Sequence, residues 1–288
     1  MGRVLCYGVV GVDHLLQVSR YPEPNGHARV RRDEIQIGGE AANTAIRLSQ
    51  MGVPVTLMGN PVGSDSLGCY FLDQIGRHEV DCRVEVQEGQ TGRAYVVSDS
   101  EGTRTIFGAF GDLDAPAVPD LLWSDLDLVS LDPFVEGAVT VGRLAREKGI
   151  PVVSIEVEPD CPFATISDTI INSAGFLRRH ESGDPQDIAQ RLLERGVGSV
   201  IVTKGSKGAD FYSEGQAFHQ PIHPVEVVDT TGAGDGFRAG FVTGLVTGRS
   251  LPECVRLASV VGALSCCYYG GCGGEIVLDE ALEAAGLA

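Results

Sequence analysis

Between Asp229 and Gly236 the chain reads DTTGAGDG, in which three glycines and an alanine surround one carboxylate, Asp235. Residues this small leave the backbone open to close approach by a ligand, and an acid among them could take a proton from whatever arrives. The following GFRAGFVTGLVTG places Phe237, Phe241 and Leu245 at i, i+4 and i+8, which predicts an apolar helical stripe. Val225, Val227 and Val228 predict the end of a strand just before the loop. The glycines are therefore expected at a strand-to-helix turn whose free N–H groups, aided by the helix dipole, can hold a phosphate or a developing anion. The acid in that first turn has two readings. It can be a capping carboxylate, favoured at helix N-termini in its own right, or a general base that accepts a hydroxyl proton while the adjacent backbone holds the transferring group.

Simpler phosphate motifs do not fit. No G-x-x-x-x-G-K-[ST] string occurs, and G-x-G-x-x-G fails because Phe237 stands where its third glycine would be. GVVGVD near the N-terminus is a weaker match still.

The elements that must position this loop follow from the pattern around it. From about residue 120, strand-like LDLVSLD (Leu126 to Asp132), IPVVSIEVE and SVIVTKGS alternate with helical patterns. One helix should bury Val141, Leu144 and Ala145 and stop at Gly149; the next should bury Ile188, Leu192 and Leu193. This alternation predicts βαβ units: an α/β fold with a doubly wound, mainly parallel sheet and helices on both faces. In such sheets ligands collect beyond the carboxyl ends of the strands. The N-terminal MGRVLCYGVVGVDHLL reads as a first strand. TGRAYVVSDSEGTRTIFG alternates around a turn at Asp99 to Gly102, and Arg29 to Ile37 is also strand-like. These strands suit a small β-sheet lid from about 14–38 and 90–108, within a single domain spanning 1–288.

The 288 residues carry 22 Lys and Arg against 39 Asp and Glu, a formal charge of -17. That balance disfavours nucleic acid and anionic membranes as partners. No run approaches the roughly 20 apolar residues of a membrane span, and Asp13 interrupts the N-terminal apolar stretch without a cleavage pattern after it, so a cytoplasmic location is expected. The eight cysteines contain no C-x-x-C pair and read as reduced thiols without chemistry.

With these residues in view, the chain resembles the ribokinase-like (phosphofructokinase B) carbohydrate and nucleoside kinases. DTTGAGDGF is similar to that family's D-x-x-G-A-G-D-x-F signature, and GGEAANTAIRLSQMG to its glycine-pair and asparagine segment. GVDHL, GTRTIF and VTKGSKGA resemble further family segments in the same order along nearly the whole chain. The resemblance implies a ribokinase-like fold and ATP-dependent phosphorylation of a hydroxyl, expected to be primary, on a small sugar or sugar derivative. It implies Asp235 as catalytic base, Gly232, Ala233 and Gly234 as anion hole, and Asp13, Gly38, Gly39 and Asn43 on sugar hydroxyls, with Asp132 a further acid near the substrate. Thr203, Gly205 and Gly208 are implied near ATP. Asp229 and Thr231 match positions whose backbone carbonyls hold a monovalent cation, K+, in many members, and Mg2+ is implied by phosphoryl transfer itself. Taken one at a time, Asp13 also reads as a solvated turn residue, Asn43 as a polar group at a helix start, and Gly205 and Gly208 as turn glycines.

The chain departs from the family pattern in two places. Many members carry an N-x-x-E motif that orders water and magnesium near the phosphates; here Asn172 is followed by Gly175 and the glutamate is missing. Ketohexokinases also lack a good version of that motif and resemble this chain again at GRSLPECVRLASVVGALSCC. Gly236 and Arg238 replace the common threonine and asparagine; Arg238 reads as reaching a phosphate or as facing solvent, with solvent the favoured of the two. Arg29, Arg31, Arg32, Arg93 and Arg104 read as a solvated lid face or as selectors of an acidic or phosphorylated sugar. Two rival functions stand beside sugar phosphorylation. A nucleoside kinase would need an aromatic sandwich, for which Tyr95, Phe107 and Phe110 are candidates, and a non-catalytic sensor would have lost the base or the glycine loop, both of which are intact. An exposed lid sheet would offer a homodimer surface.

Overall fold

The computed structural model describes residues 2–99, 104–109, 117–180 and 184–288. The N-terminal apolar run, expected as one strand, is two: β1 (Val4–Gly8) and β2 (Gly11–Val18) lie in different sheets, with a break at Val9 and Val10. β1 is buried along its whole length, as a strand covered on both faces must be. Along the chain follow β3 (Val30–Gly38), α1 (Glu40–Gln50), β4 (Val55–Gly59), α2 (Ser66–Ile75), β5 (Val80–Cys82), β6 (Arg93–Ser98) and β7 (Arg104–Ala109). The second part contributes β8 (Leu128–Leu131), α3 (Ala138–Glu147), β9 (Val152–Ile155), β10 (Thr169–Ser173), α4 (Ala174–His180) and α5 (Pro185–Glu194). It continues with β11 (Ser199–Thr203), β12 (Ala209–Ser213), β13 (Gln216–Gln220), α6 (Ala233–Val246), α7 (Leu251–Ser265) and α8 (Leu278–Ala284).

Nine strands form the main sheet in the order β13-β12-β11-β10-β9-β8-β1-β4-β5. All neighbours from β11 to β5 are parallel, and β12 and β13 add an antiparallel hairpin at one edge. Each face of this sheet has its own apolar core. One joins α1, α6 and α7 through Ile46, Phe237, Phe241 and Leu257; the other takes Val141 of α3 and Ile188 of α5. Ala145 and Leu192 of the predicted helical stripes are buried too, while Leu144, Leu193 and Leu245 pack at the edges.

The second sheet, β3-β2-β6-β7, has the expected antiparallel β6–β7 pair and begins at Gly11, three residues before the lid boundary read from sequence. Ser100, Glu101 and Gly102 of the expected turn lie outside the described residues. Leu15, Ala94 and Val96 pack on Tyr269, and the Arg32 guanidinium sits 3.8 Å over the Tyr269 ring, so this lid is docked on the segment that follows α7.

One expected strand is absent. Residues 221–230 are irregular, with Val227 and Val228 59% and 55% exposed. Pro221 and Pro224 remove the donors a ladder would need, and the N–H groups of Val228 and Asp229 instead donate to the Cys266 carbonyl. The glycine loop is thus reached from an irregular segment pinned to the end of α7. The departure at Gly236 has a packing cause: a Cβ there would lie 2.1 Å from Ser265 Oγ on α7. Gly240 and Gly244 continue the same small stripe against Ala258 and Cys254. Among the described residues no helix is long and apolar enough to cross a membrane, and all eight cysteines are free thiols.

Candidate active site

The loop meets α6 at Gly232, whose φ of 75° lies in the left-handed region. A Cβ there would stand 2.2 Å from the Gly271 carbonyl oxygen, so both conformation and space demand glycine. No side chain caps α6. The first-turn N–H groups of a helix lack intrahelical acceptors; that of Ala233 has the Thr230 carbonyl at 3.3 Å. Asp229 braces the loop from behind. Its Oδ1 accepts from the Thr231 N–H at 3.0 Å and hydroxyl at 2.9 Å, and its Oδ2 from the Gly270 N–H at 3.0 Å.

Above this turn lies a cavity of about 190 Å³ between the main sheet and the lid. Asp13, Gly39, Asn43, Thr231, Gly232, Gly234 and Asp235 all line it, so residues more than two hundred positions apart converge. Asn43, in the first turn of α1, donates from Nδ2 to Asp235 Oδ2 at 2.9 Å, and its buried Oδ1 has no partner. Burial pushes the Asp235 carboxyl up to about 6, with Arg238 and the Asn43 hydrogen bond opposing the rise. Burial, reinforced by Asp235, pushes Asp13 up to about 7. Gly38 supports Asp13 rather than lining the wall, since a Cβ there would lie 2.2 Å from Asp13 Oδ1. Ala233 likewise sits behind the cavity surface.

Arg238 does not face solvent. It is 1% exposed, ion-paired with Asp132, and donates from Nε to Thr44 Oγ1 at 2.9 Å and from Nη2 to the Glu40 carbonyl. The reason is its helix: α6 is buried at every residue from Gly236 to Gly244, so its one arginine has no solvent face to occupy. Asp132 lies beneath the cavity, fully buried, where Oδ2 accepts from the Val9 N–H at 2.9 Å. Glu40 joins the wall, its carboxyl raised by burial and by Asp132 and Asp235.

Three of the lid arginines, Arg29, Arg31 and Arg32, are exposed, whereas Arg93 and Arg104 line the cavity. Arg104 also donates from Nη1 to the Thr230 carbonyl at 2.9 Å and so ties the lid to the glycine loop. Tyr95 packs against His14 with the rings tilted by 33° and Phe107 is 59% exposed; neither lines the cavity, and Phe110 lies outside the described residues.

Thr203, Gly205 and Gly208 are not on this wall. They form the turn between β11 and β12, four strands from β1 on the same C-terminal edge, where the Lys204 N–H donates to the Gly208 carbonyl at 2.7 Å. Between the two ends stands Glu156, which sequence reading passed over. It follows β9 at φ 50°, and burial pushes its carboxyl up to about 7. Asn172 of β10 is occupied on both amide atoms by the backbone of Val157.

A carboxylate of raised basicity beside uncapped helix N–H groups can take a proton from a hydroxyl while the backbone holds an anion. Residues 1–132 and 171–276 match the model of the pfkB family carbohydrate kinases. The chain is 26% identical over 298 residues to a ribokinase of Haemophilus influenzae, covering 96% of each protein. It is 30% identical over 282 residues to an ATP-dependent ribose-1-phosphate kinase of Halopiger xanaduensis, covering 92% of each. The structure of Arabidopsis thaliana ribokinase complexed with ribose and ATP superposes with a TM-score of 0.83 at 23% identity, covering 100% of this chain and 99% of that one.

Proposed function

The chain belongs to the pfkB family of carbohydrate kinases, and from that premise we propose that it transfers the γ-phosphoryl group of ATP to a primary hydroxyl of a small sugar or sugar derivative. The observation that carries the reading is Asp235: a carboxylate raised to about 6, held by Asn43 in the same helical turn as the N–H groups of Gly232 and Gly234, which no side chain caps.

Asp235 takes the hydroxyl proton as the oxygen attacks phosphorus, and ADP leaves. The N–H groups of Gly232 and Gly234 hold the charge that develops on the transferring group. Asp13 and Asn43, with the backbone of Gly39, hold neighbouring hydroxyls, and Gly38 leaves room for the Asp13 carboxylate; the unpartnered Asn43 Oδ1 suits a hydroxyl donor. Asp132 acts through Arg238, which fixes the start of α6 and with it the aim of Asp235. Closure of the lid through Arg104 and Thr230 excludes water and suppresses idle ATP hydrolysis.

The nucleotide's adenosine end belongs at the Thr203 to Gly208 turn. Mg2+ would be held mainly by nucleotide phosphates and water, as is usual for this ion. When bound, Mg2+ neutralises phosphate charge. The Asp229 and Thr231 carbonyls would hold K+ beside the loop that the Asp229 carboxylate braces. Arg93 and Arg104 on the wall favour a second reading, an acceptor that itself carries an anionic group. On the lid's outward face Ile35, His14, Tyr95 and Phe107 form a cross-strand row in which Ile35 and Phe107 are 42% and 59% exposed, a surface for a second copy of this chain.

Asp235→Asn tests the reading. We expect turnover to fall on the order of 10²–10⁴-fold, the range of general base catalysis, with ATP affinity unchanged by calorimetry. Turnover like that of the wild type would refute the base assignment.

A further inference from the structure

The segment that follows α7 reads GGCGG from Gly270 to Gly274, and the cavity residues lean on it. The Gly270 N–H donates to Asp229 Oδ2 at 3.0 Å. Gly271 lies against two site residues at once: its carbonyl oxygen packs under Gly232, and a Cβ on Gly271 would stand 2.4 Å from Asn43 Nδ2. One residue earlier, the Tyr269 carbonyl accepts from Gln36 Nε2 of β3 at 3.3 Å, so the same stretch of chain touches the lid, the glycine loop and Asn43.

Such close packing requires small residues, and those residues deprive the segment of stiffness, because glycine is the least restricted residue. Its anchor is Arg47 of α1. Nη2 donates to the Gly273 carbonyl at 2.8 Å, and Nη1 donates to the Gly274 carbonyl at 3.1 Å and to Gln50 Oε1 at 2.9 Å. Arg47 is fully buried, yet among the described residues each of its hydrogen-bond acceptors is neutral. A guanidinium withdrawn from water without a carboxylate partner is costly, and an apolar side chain of similar length would fill the space at less cost. Packing alone therefore does not account for it. Arg47 also stands one helical turn from Asn43 on the same face of α1, so one face of one helix grips both the segment and Asp235.

We propose that Arg47 is a positioning residue for phosphoryl transfer: by fixing the Gly273 and Gly274 carbonyls it holds Gly270 to Gly274 as a floor under Gly232 and Asn43, and so aims the loop N–H groups and the Asp235 carboxylate at one point. This rests on the kinase reading.

The test joins kinetics to hydrogen exchange on the full chain. Turnover is read as ADP release with MgATP and whichever of D-ribose, D-fructose, D-gluconate, ribose 5-phosphate and adenosine gives wild type its highest rate. Arg47→Met fills the same space without donors. Arg47→Lys keeps the charge but not the fork that spans two carbonyls, and serves if the first variant folds poorly. In either variant kcat should fall by about 10–100-fold, the scale of a misplacement of about 1 Å at reacting groups, with KM for ATP little changed. Amide exchange should quicken across 229–236 as well as 270–274, while the β12–β13 hairpin keeps its protection. A folded variant with the kcat of wild type, or one whose exchange rises only at 270–274, overturns the proposal and leaves the kinase reading standing. No ADP release by wild type with any of the five acceptors overturns the kinase reading, and the proposal with it.

Discussion

The Asp235 cavity, proposed as the acceptor end, and the Thr203 to Gly208 turn, proposed for the nucleotide, solve the problem of holding charge in opposite ways. At the acceptor end, Asp13 and Asp235 are buried and their carboxyls rise to about 7 and about 6. At the turn, burial would also raise Asp210, but hydrogen bonds from Lys204 and His219 outweigh it and hold the carboxyl below its ordinary value. One end keeps its acids poised to take a proton; the other keeps its acid ionised as a structural clamp. Chemistry requires the first condition, and a surface turn requires only the second.

The comparison breaks most visibly at its buried ion pair. Arg238→Met leaves Asp132 charged and alone beneath the cavity, and unfolding by denaturant should show a loss of about 3–5 kcal/mol. The corresponding cut at the turn, Lys204→Met, should cost under about 1 kcal/mol, because that pair is partly solvated.

A second contrast lies within α6. Gly236→Ala drives a methyl into Ser265 and should cost about 1–3 kcal/mol by overpacking. Gly234→Ala meets no protein atom, so the fold should hold; the methyl instead enters the space proposed for the phosphoryl group, and kcat should fall while Tm does not.

The pH dependence of stability separates the two ends by sign. Asp13 and Asp235 titrate higher in the folded protein than their ordinary value of 3.8, so the stability they contribute is complete below that value and is lost as pH rises through about 6 and 7. Asp235→Asn should therefore be more stable than wild type at pH 8, by about 1–3 kcal/mol, with no advantage at pH 4. Asp210 works the other way: its contribution is present above its ordinary value and is lost as pH falls below it, so Asp210→Asn should be the less stable protein at neutral pH. Equal slopes for the two variants would erase the distinction.

What could be read from sequence was whatever depends on local pattern. The alternation of apolar strands with Val141 and Ile188 helices specified the parallel sheet, and DTTGAGDG announced a close-approach turn because only backbone need explains so many small residues together. Arg238 was misread although a signal existed: its neighbours Phe237, Ala239, Phe241 and Val242 leave no polar face on the helix. Valine content alone reads Val227 and Val228 as strand, against the prolines at 221 and 224. Glu156 had no such signal. Its backbone angle and its place between two ends of one edge exist only once β9 and β10 are paired. The division of the lid arginines is likewise tertiary, since Arg93 and Arg104 become cavity residues only when the lid docks on Tyr269.

The most direct test of phosphoryl transfer to a sugar hydroxyl is ADP release by the wild-type protein with MgATP across ketoses, aldoses, sugar acids, phosphosugars and nucleosides. At least one sugar or sugar derivative should raise ADP release and yield an equal amount of its phosphomonoester. ADP release that stays at the hydrolysis background with every acceptor, from a protein that binds ATP, would contradict the account.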